Sequence, residues 1–490
     1  MIKREVQYKG IPSNKFMSKK IGIIGGGFSG TLTAFHIVNK ATAPCKIFII
    51  NEKDNINKGI AYNPYSEKHI LNVIAGKMSA FPDKHDHFLD WVMKKKEFKN
   101  MDRTLVSNSF LPRMLYGEYL CNIWQITLEE AGKKNITIVE INDTVKGLNK
   151  NETTITLLFN ISQSFDIDLC VIATGNQVPK NPQIHNTDFY KSSNYFQNPW
   201  KENSVKDIKG DLPILIVGNG LTMVDTIIGL LEQNFKGKIY SISPNGFNIL
   251  PHRHSGVKYT AHLEEIDENI SLINFVQIVN KHIKILREFG VSAEPIIDSL
   301  RPITQKIWRN LSNLEKTIFM ARLRHLFGVA RHRIPLHIYD KIQKLRLDGT
   351  LHIQSGKIID IIEQGNIVEV TYYDKKQNSS KKLKVSRVIN CTGPESDFSK
   401  IENSFLSQCI EEGILTQDEL KLGIKTNIET FKVYAKDNEE HFNIYTLGSN
   451  LKGELWESTA VSELRQQAES LANGIVNEIN CTAKGVSHQL

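Results

Sequence analysis

The sequence predicts an α/β protein in which one strand–helix domain is inserted into another and carries an added helical segment. Residues 20–30 and 212–220 each form an apolar run that ends in glycines and precedes an apolar, helix-like segment. Residues 169–177 and 387–395 are strand-like runs that end in the motifs ATG and CTG. The order along the chain is glycine turn, ATG, glycine turn, CTG, which is typical of a domain split by a second domain of the same kind.

The expected domain boundaries follow from this order and from changes in composition. They are a basic N-terminal extension at 1–18, a first domain in two parts at 19–200 and 351–475, an inserted domain at 201–350, and a C-terminal tail at 476–490. Residues at about 256–345 are rich in Lys, Arg and Leu at helical spacing, which predicts a helical insertion. Alternating runs in 137–168 and 351–386 predict β-meanders that lead into the ATG and CTG strands.

The composition excludes several classes of protein. The 490 residues contain 61 Lys and Arg against 53 Asp and Glu, a net charge of +8. This excess permits an anionic ligand without requiring nucleic acid, so we expect no nucleic-acid partner. Six cysteines without a CxxC motif argue against a zinc ribbon and a redox-active cysteine pair, and they favour a reducing, cytoplasmic compartment. No apolar run has the length of a membrane-spanning helix, so we expect no membrane partner, and the oligomeric state stays open.

The first glycine motif has the spacing of a dinucleotide-binding turn. Gly25-x-Gly27-x-x-Gly30 directly follows the apolar run 21–24, and a helix-compatible segment follows it. In such a turn the first glycine permits a tight bend, the second lets the backbone approach the pyrophosphate, and the third lets the helix pack close to the strand. Glu52 lies 27 residues after Gly25, at the end of the next strand-like run, where a carboxylate can accept hydrogen bonds from ribose hydroxyls. The alternative is a structural glycine-rich turn with a surface glutamate.

The second glycine motif is incomplete. Gly218-x-Gly220 follows the apolar run 214–217, but Met223 stands where the third glycine would be. We expect a nicotinamide dinucleotide here, and the alternative is a structural domain whose site is empty or vestigial. Sites that prefer NADP often carry an Arg after the next strand. Residues 243–246 read Ser-Pro-Asn-Gly, so the choice between NADH and NADPH stays open.

These motifs resemble the two-dinucleotide flavoprotein fold of flavin-containing and N-hydroxylating monooxygenases, with two Rossmann-like domains. The resemblance lies in GGGFSG at 25–30, VIATG at 171–175, VGNGLTMVD at 217–225 and INCTGP at 389–394. Residues 59–83, 110–120 and 453–468 further resemble the bacterial FAD–NAD(P)-binding protein family, some members of which carry the label FAD-dependent urate hydroxylase. The similarity runs from about Lys19 to about Asn473, nearly the whole chain.

The resemblance implies two cofactors, FAD and NAD(P)H, and a set of contacts for each. The FAD contacts that it implies are Gly25, Gly27, Phe28, Ser29 and Gly30 at the pyrophosphate, Glu52 at the ribose, and Gly448, Ser449 and Thr459 near the ribityl chain and flavin ring. Thr174, Gly175 and Gly393, in the ATG and CTG motifs at the strand ends, are further expected cofactor contacts. Gly218, Gly220 and Thr222 match the nicotinamide phosphate turn. Asn72, Met78 and Ser79 are candidates for flavin or substrate contact. Many such flavoproteins have Gly-Asp where this chain has Gly448-Ser449, so the usual carboxylate contact to the ribityl chain is absent.

Basic and histidine-rich segments give weaker signals. Arg113 and Arg253 are candidate contacts for an anionic substrate, although Arg113 is equally compatible with a surface arginine. The Arg and His residues at 322–333 can bind a phosphate or carboxylate, but a solvated helix face is the preferred interpretation. His85 and His87 have metal-like spacing without further ligands, so we expect a polar helix start and no metal site.

The implied activity is that of an FAD-dependent, NAD(P)H-using oxidoreductase. The leading hypothesis is a monooxygenase that acts on a small polar substrate, amino-acid-like or purine-like, through a flavin hydroperoxide. That chemistry requires no protein nucleophile and no metal, and the cofactor supplies the reactive group. One alternative is a flavin oxidase or dehydrogenase without oxygen insertion. The other is a non-catalytic FAD-binding scaffold whose basic helical insertion binds a partner.

Overall fold

The structure is a computed structural model that describes residues 18–52, 56–208, 210–253 and 257–485. The predicted N-terminal extension, apart from Ser18, lies outside these residues. The chain divides into two compact units. We call them the outer unit, which holds the described residues of 18–64, 73–176 and 396–485, and the inserted unit, which holds the described residues of 65–72 and 177–395.

The first part of the outer unit alternates strands and helices. Its elements are β1 (Lys19–Ile24), α1 (Phe28–Lys40), β2 (Cys45–Asn51), α2 (Gly59–Tyr62), α3 (His87–Met93), α4 (Arg103–Ser107), α5 (Arg113–Lys133), β3 (Thr137–Asn142), β4 (Val145–Lys150), β5 (Ile155–Phe159), β6 (Phe165–Ile167) and β7 (Leu169–Ile172). The meander predicted at 137–168 is shorter than expected. β4–β6 form a separate antiparallel sheet, whereas β3 pairs in parallel with β2.

The inserted unit repeats the strand–glycine–helix pattern and adds a helical segment. Its elements are β8 (Tyr195–Phe196), β9 (Ile214–Val217), α6 (Leu221–Glu232), β10 (Ile239–Ser243), α7 (Leu272–Glu288), α8 (Glu294–Ser299), α9 (Arg301–Asn310), α10 (Asn313–Ile318), α11 (Arg324–Arg331), α12 (Leu336–Leu347), β11 (Leu351–Gln364), β12 (Ile367–Asp374), β13 (Ser379–Val385) and β14 (Arg387–Asn390). Helices α7–α12 occupy the segment where the basic, leucine-rich pattern predicts an insertion.

The chain then returns to the outer unit. The last elements are α13 (Phe405–Glu411), β15 (Lys432–Tyr434), β16 (Glu440–Thr446), α14 (Lys452–Leu455) and α15 (Val461–Gly485). The strand order of the outer sheet is β15-β16-β7-β1-β2-β3, and that of the inserted sheet is β13-β12-β11-β10-β9-β14-β8. In the outer sheet β16, β7, β1, β2 and β3 are parallel, so their carboxyl ends share one edge.

Three boundaries differ from the predicted ones. Residues 177–200, expected in the first part of the outer domain, belong to the inserted unit. Residues 351–395, expected in the second part of the outer domain, belong to the inserted unit because β11 continues its sheet. The first five residues of β11 pair in parallel with β10, and the strand then turns to pair antiparallel with β12. The predicted C-terminal tail at 476–490 is helical as far as Gly485, because α15 continues with buried Ile475, Val476 and Ile479.

The central strands are buried on both faces. Every residue of β7, β9 and β14 is buried. Strands covered on both faces by helices or a second sheet read as continuous apolar runs, which is why these segments stand out in the sequence. Among the residues that the structure describes, no helix is long and apolar enough to cross a lipid bilayer.

Candidate functional site

The turn after β1 has a conformation that only glycine tolerates. Gly25 has a φ of 105°, and its amide donates to the carbonyl oxygen of Ile50 on β2 at 2.8 Å. A Cβ atom placed on Gly25 would lie 2.2 Å from the carbonyl oxygen of Ala173, just past β7. The first glycine of the motif is therefore required by the protein's own backbone.

The second and third glycines of this turn have different roles. A Cβ atom on Gly30 would lie 1.9 Å from the carbonyl oxygen of Gly25, so Gly30 lets α1 pack against the turn. A Cβ atom on Gly27 would meet Cα of Gly59 at 3.4 Å, an ordinary contact. Gly27 precedes α1 without a side-chain cap, and the first turn of α1 contains no acidic residue. Uncapped amides at a helix start suit an anion, and the small size of Gly27 leaves room for it.

Three further predicted cofactor residues, Glu52, Thr174 and Gly175, lie at the same edge of the outer sheet. Glu52 is exposed directly after β2. Thr174 and Gly175 follow β7, and a Cβ atom on Gly175 would meet nothing within 4 Å. β1 and β7 are aligned with Ile24 opposite Ile172, and β16 continues the ladder on the other side of β7. The parallel ladder thus brings together groups suited to a ribose, a pyrophosphate and the chain between them.

A buried hydrogen-bond network fixes the turn after β16. Gly448 has a φ of 77°, its amide donates to Oε1 of Gln467 at 2.9 Å, and its carbonyl accepts from Oγ of Ser458 at 2.6 Å. Nε2 of Gln467 donates to Oγ of Ser458 at 2.9 Å, which closes the network. Ser449 follows with a buried Oγ that has no hydrogen-bond partner. An unsatisfied hydroxyl at this strand end fits a polar cofactor, because buried hydroxyls are otherwise paired.

The structure gives less direct support for a cofactor contact by Thr459, Met78 or Ser79 than the sequence suggests. Thr459 is exposed between α14 and α15, and its neighbour Ser458 is the buried residue that contacts the Gly448 turn. Met78 and Ser79 are buried, and Oγ of Ser79 donates to the carbonyl of Lys84 at 2.5 Å. The Ser79 hydroxyl therefore serves its own turn.

The structure assigns Asn72 to the inserted unit. Its carbonyl oxygen lies 2.9 Å from Nε2 of His252, also in the inserted unit. The sequence motif 59–83 is thus divided between the two units. Asn72 and Ser79, which the sequence groups together, lie in separate compact units.

The turn after β9 repeats the geometry of the first one. Gly218 also has a φ of 105°, and its amide donates to the carbonyl oxygen of Ile242 on β10 at 2.7 Å. A Cβ atom on Gly218 would lie 2.4 Å from the carbonyl oxygen of Cys391, just past β14. Gly220 precedes α6 without a side-chain cap, and a Cβ atom there would meet nothing within 4 Å. The inserted unit therefore has its own pyrophosphate-type turn.

Met223 changes the packing of this second turn. The equivalent glycine in the first turn, Gly30, has no room for a side chain, whereas Met223 is fully accommodated and buried. Oγ of Ser241 donates to the carbonyl of Gly218 at 3.1 Å. In the first turn the carbonyl of Gly25 faces Gly30 on α1. In the second turn the equivalent carbonyl, that of Gly218, accepts a hydrogen bond from Ser241 on β10. Thr222 lies half-buried in the first turn of α6, and Gly393 follows β14 with a φ of 91° and open space around it.

The two arginines proposed as substrate contacts have different surroundings. Arg113 begins α5 and is half-buried. Burial raises the pKa of Tyr62 to about 12, and the charge of Arg113 opposes that shift, so the two side chains lie near each other. Arg253 lies with Nε 3.5 Å from Oε2 of Glu294. Arg253 therefore has a protein partner in the inserted unit.

The basic segment at 322–333 is mostly a solvated face. Its exposed members are Arg322, Arg324, His325 and His332, and Arg331 is half-buried. Arg333 differs because it is buried, with Nη1 2.9 Å from Oε1 of Glu294 and Nη2 2.5 Å from Oδ1 of Asp298. This residue stabilises the helical segment.

All six cysteines are unpaired. Burial raises the pKa of Cys45 to about 11 and that of Cys391 and Cys409 to about 12. Their thiolates, which are the reactive forms, are therefore disfavoured. Within the part of the chain that the structure describes, no group of three or more His, Cys, Asp or Glu side chains is arranged to hold a metal ion.

The sequence pattern does not point to three polar residues in and around the Gly448 turn: Asn450, Ser458 and Gln467. Asn450 joins two strand ends, since Nδ2 donates to Oγ1 of Thr446 at 3.0 Å and to Oγ1 of Thr174 at 3.3 Å. Gln467 and Ser458 fix the Gly448 turn, as described above. Asn450 lies two residues after Gly448, so a polar residue close to a glycine at a strand end is the signal that identifies it. Gln467 lies on α15 among other polar residues, and nothing local distinguishes it.

Comparison with known proteins agrees with this architecture. Residues 22–177 match the model of a family described as FAD-NAD(P)-binding. The ornithine N-hydroxylase of Kutzneria sp. 744, whose structure is described with reduced FAD, NADP+ and L-ornithine, is 13% identical with a TM-score of 0.61 over 94% of this chain and 99% of its own. The ornithine hydroxylase of Pseudomonas aeruginosa has a TM-score of 0.64 at the same identity and coverage. The bacillithiol disulfide reductase of Bacillus cereus has a TM-score of 0.54 at 13% identity, over 94% of this chain and 100% of its own.

No curated protein sequence matches the chain. At 13% identity the structural likenesses establish the fold. The predicted α/β class, with two Rossmann-like domains of which one is inserted into the other, is confirmed. The chain therefore has the fold of the two-dinucleotide-binding flavoproteins, and residues 22–177 match the model of the FAD-NAD(P)-binding family.

Proposed function

We propose that this protein is an FAD-dependent monooxygenase that takes electrons from NAD(P)H and transfers one oxygen atom of O2 to a small polar substrate. One observation carries the proposal. Gly25 and Gly218 form the same turn, with the same φ and the same pattern of strand contacts, in two separate parallel sheets. A chain with two pyrophosphate-type turns has one place for a flavin dinucleotide and one for a nicotinamide dinucleotide.

The first turn fits FAD. The uncapped start of α1 suits the pyrophosphate, Glu52 suits the ribose hydroxyls, and the unsatisfied Oγ of Ser449 suits a polar group between them. FAD would supply the redox chemistry, accepting a hydride from the nicotinamide and then reacting with O2. The protein's part is to hold both cofactors and the substrate and to exclude water. The overall balance consumes NAD(P)H, a proton, O2 and substrate, and yields NAD(P)+, oxygenated substrate and water.

The proposed substrate is an amino-acid-like amine. The relatives from Kutzneria and Pseudomonas are both named as ornithine hydroxylases. Arg113, at the start of α5, is our candidate for the substrate carboxylate, because a guanidinium binds a carboxylate through two parallel hydrogen bonds. Arg253 is a weaker candidate, since Glu294 already holds it.

The cysteines favour oxygen chemistry over disulfide reduction. The sequence has no CxxC motif, and burial raises the pKa of Cys45, Cys170, Cys391 and Cys409. A dithiol relay needs an accessible thiolate, which these four side chains do not provide. Unpaired cysteines are also the reason to place the protein in a reducing, cytoplasmic compartment.

The test uses the FAD-loaded protein and both nicotinamide cofactors. Without O2, NADH or NADPH is expected to bleach the flavin in the presence of ornithine, lysine, cadaverine or urate. In air, the true substrate should accelerate NAD(P)H consumption and give a hydroxylated product by mass spectrometry. Hydrogen peroxide equal to the NAD(P)H consumed, with every substrate, would instead identify an oxidase. A flavin that neither cofactor bleaches would overturn the proposal.

A variant of the second turn separates the two cofactors. Gly220→Val places a side chain where the structure has open space, so the protein should fold and keep its yellow colour. The added bulk occupies the expected path of the nicotinamide pyrophosphate, so the variant should bind FAD normally and lose reduction by NAD(P)H. Normal flavin reduction in Gly220→Val would show that the second dinucleotide binds elsewhere.

A further inference from the structure

The two glycine turns define an equivalence between residues at the ends of β2 and β10. In the first turn the amide of Gly25 donates to the carbonyl of Ile50, and in the second the amide of Gly218 donates to the carbonyl of Ile242. Two residues further along, Glu52 in the outer unit corresponds to Pro244 in the inserted unit. Glu52 is at the position where a carboxylate holds ribose hydroxyls. Pro244 offers no carboxylate there.

A lysine ammonium lies at this position instead. Nζ of Lys375 donates to the carbonyl oxygen of Pro244 at 2.7 Å, and Oγ of Ser355 donates to the same oxygen at 3.1 Å. Lys375 comes from the turn between β12 and β13, more than a hundred residues away in sequence. The inserted unit therefore carries positive charge where the outer unit carries negative charge.

The path of β11 explains how this lysine reaches the end of β10. Ser355 is opposite Ser243 in the parallel ladder of β10 and β11. From Gly356 onward β11 pairs antiparallel with β12, and Gly356 is opposite Asp374. The next residue, Lys375, is thereby returned to the carboxyl edge of β10, where its amide donates to the carbonyl of Ser355 at 3.1 Å.

The loop after β10, whose Pro244 carbonyl accepts the hydrogen bond from Lys375, is also hydrogen-bonded to the pyrophosphate-type turn after β9. Nδ2 of Asn219, between Gly218 and Gly220, donates to the carbonyl of Phe247. Within the loop, Oγ of Ser243 accepts from the amide of Gly246 at 3.0 Å. Residues 243–250 contain no Asp or Glu. The nearest carboxylate along the hairpin, Asp374, is buried and bound by Lys381 at 2.8 Å.

We propose that Lys375 binds the 2′-phosphate of NADPH and makes this protein selective for NADPH over NADH. This inference rests on the proposed nicotinamide site after β9. An ammonium has three N–H donors, and the carbonyl of Pro244 uses one, which leaves two for a phosphate. The adenosine ribose of a dinucleotide bound at such a turn lies over the end of the next strand, here β10. A cation at that point favours the ribose of NADPH, which carries the 2′-phosphate. The ribose of NADH, which has a free 2′-hydroxyl, lacks here the carboxylate that usually accepts its hydrogen bond.

A binding experiment on the FAD-loaded protein tests the role of Lys375 without turnover. Adenosine 2′,5′-bisphosphate and AMP are titrated calorimetrically, since they differ only in the 2′-phosphate. The wild-type protein should bind the bisphosphate about tenfold more tightly or better, as expected for a charge-assisted contact. Lys375→Gln should lose most of that preference. Lys376→Gln, which removes the same charge from the next exposed residue, should keep it.

One double variant and a kinetic readout complete the test. Pro244→Glu with Lys375→Gln restores the carboxylate of the first site and should shift flavin reduction towards NADH. The proposal for Lys375 is overturned if the wild-type protein binds both nucleotides equally, or if Lys375→Gln and Lys376→Gln lose affinity alike. Failure of the proposed function has a different signature. In that case neither NADH nor NADPH bleaches the flavin, while the calorimetric comparison still reports whether Lys375 recognises the 2′-phosphate.

Discussion

Gly25 and Gly218 share a φ of 105°, and a Cβ atom on either would collide with a carbonyl oxygen just past the adjacent strand, at 2.2 Å from Ala173 and 2.4 Å from Cys391. The same turn is thus built twice in one chain. The next glycines in each motif, Gly27 and Gly220, meet no such obstacle. The first glycine of each turn is therefore required for folding, and the second is explained by a ligand.

Replacing the first glycine should impair folding. Gly25→Ala forces a side chain into a positive φ and against the carbonyl of Ala173, which we expect to lower the free energy of unfolding by about 2 kcal/mol or more. Urea-induced unfolding of the FAD-free protein measures this change. Wild-type stability of Gly25→Ala would contradict the geometry of the turn.

Replacing the second glycine should impair cofactor binding instead. A Cβ atom on Gly27 makes only an ordinary contact, so Gly27→Ala should lower the stability of the FAD-free protein by less than about 1 kcal/mol. FAD affinity, measured by the quenching of flavin fluorescence, should fall roughly tenfold or more, because the backbone can no longer approach the pyrophosphate closely. If Gly27→Ala binds FAD as tightly as the wild-type protein, the pyrophosphate does not contact this turn.

Gln467 should be more important than its position on a polar helix suggests. Gln467→Met removes the partner of the Gly448 amide and of Oγ of Ser458, and both groups are buried. The Gly448 amide would be left unsatisfied, whereas Oγ of Ser458 would lose one of its two partners and keep the Gly448 carbonyl. This should cost about 1–3 kcal/mol of stability and weaken FAD binding, because the turn beside Ser449 loses its support. The neighbouring exposed Gln466 is a matched control, and Gln466→Met should leave thermal unfolding and FAD affinity unchanged. Equal effects of the two substitutions would show that the network does not support the cofactor site.

The parts of this fold that sequence patterns predict are those set by local constraints. The sequence predicts both glycine turns because in each case the buried strand, the turn and the apolar helix follow one another along the chain. The boundary at 351 was misplaced because β11 changes partner between Ser355 and Gly356, from parallel β10 to antiparallel β12. An alternating apolar pattern does not encode which strand lies beside it.

Sequence patterns also do not predict contacts between side chains that lie far apart along the chain. Residues 243–246, directly after β10, contain no cation, whereas Lys375 reaches Pro244 from another hairpin. Arg253 was considered as a substrate contact, and the structure pairs it with Glu294 on α8. Such pairs depend on the packing of whole elements, which a linear pattern does not specify.

Arg333 and Arg253 should differ sharply in their effect on stability. Burial raises the pKa of Glu294, and Arg333 opposes that shift by pairing with the carboxylate at 2.9 Å. Arg333→Met leaves this partly buried carboxylate without its main partner, so we expect a loss of about 3 kcal/mol. Arg253→Met removes a longer, more exposed contact at 3.5 Å and should cost less than about 1 kcal/mol. Denaturant unfolding of both variants checks the order, and a larger loss for Arg253→Met would reverse our assignment.

His36 should make stability depend on pH. It is buried in α1 with an unpaired Nε2, and burial lowers its pKa from 6.5 to about 4, a shift that the charge of Glu469 partly opposes. The unfolded chain therefore binds a proton at His36 between these two pH values while the folded protein does not. Stability is full above about pH 6.5 and falls as the pH is lowered towards 4, by at most about 3 kcal/mol.

Comparing denaturation curves across this range isolates the contribution of His36. His36→Leu should reduce the fall in stability between pH 6.5 and pH 4, because one titrating group is gone, whereas His262, whose pKa burial also lowers to about 4, still contributes. His185→Leu, at an exposed position, should leave the wild-type slope unchanged. An unchanged slope in His36→Leu would mean that other groups control acid unfolding, since proton linkage requires the titrating residue itself to differ between the folded and unfolded states.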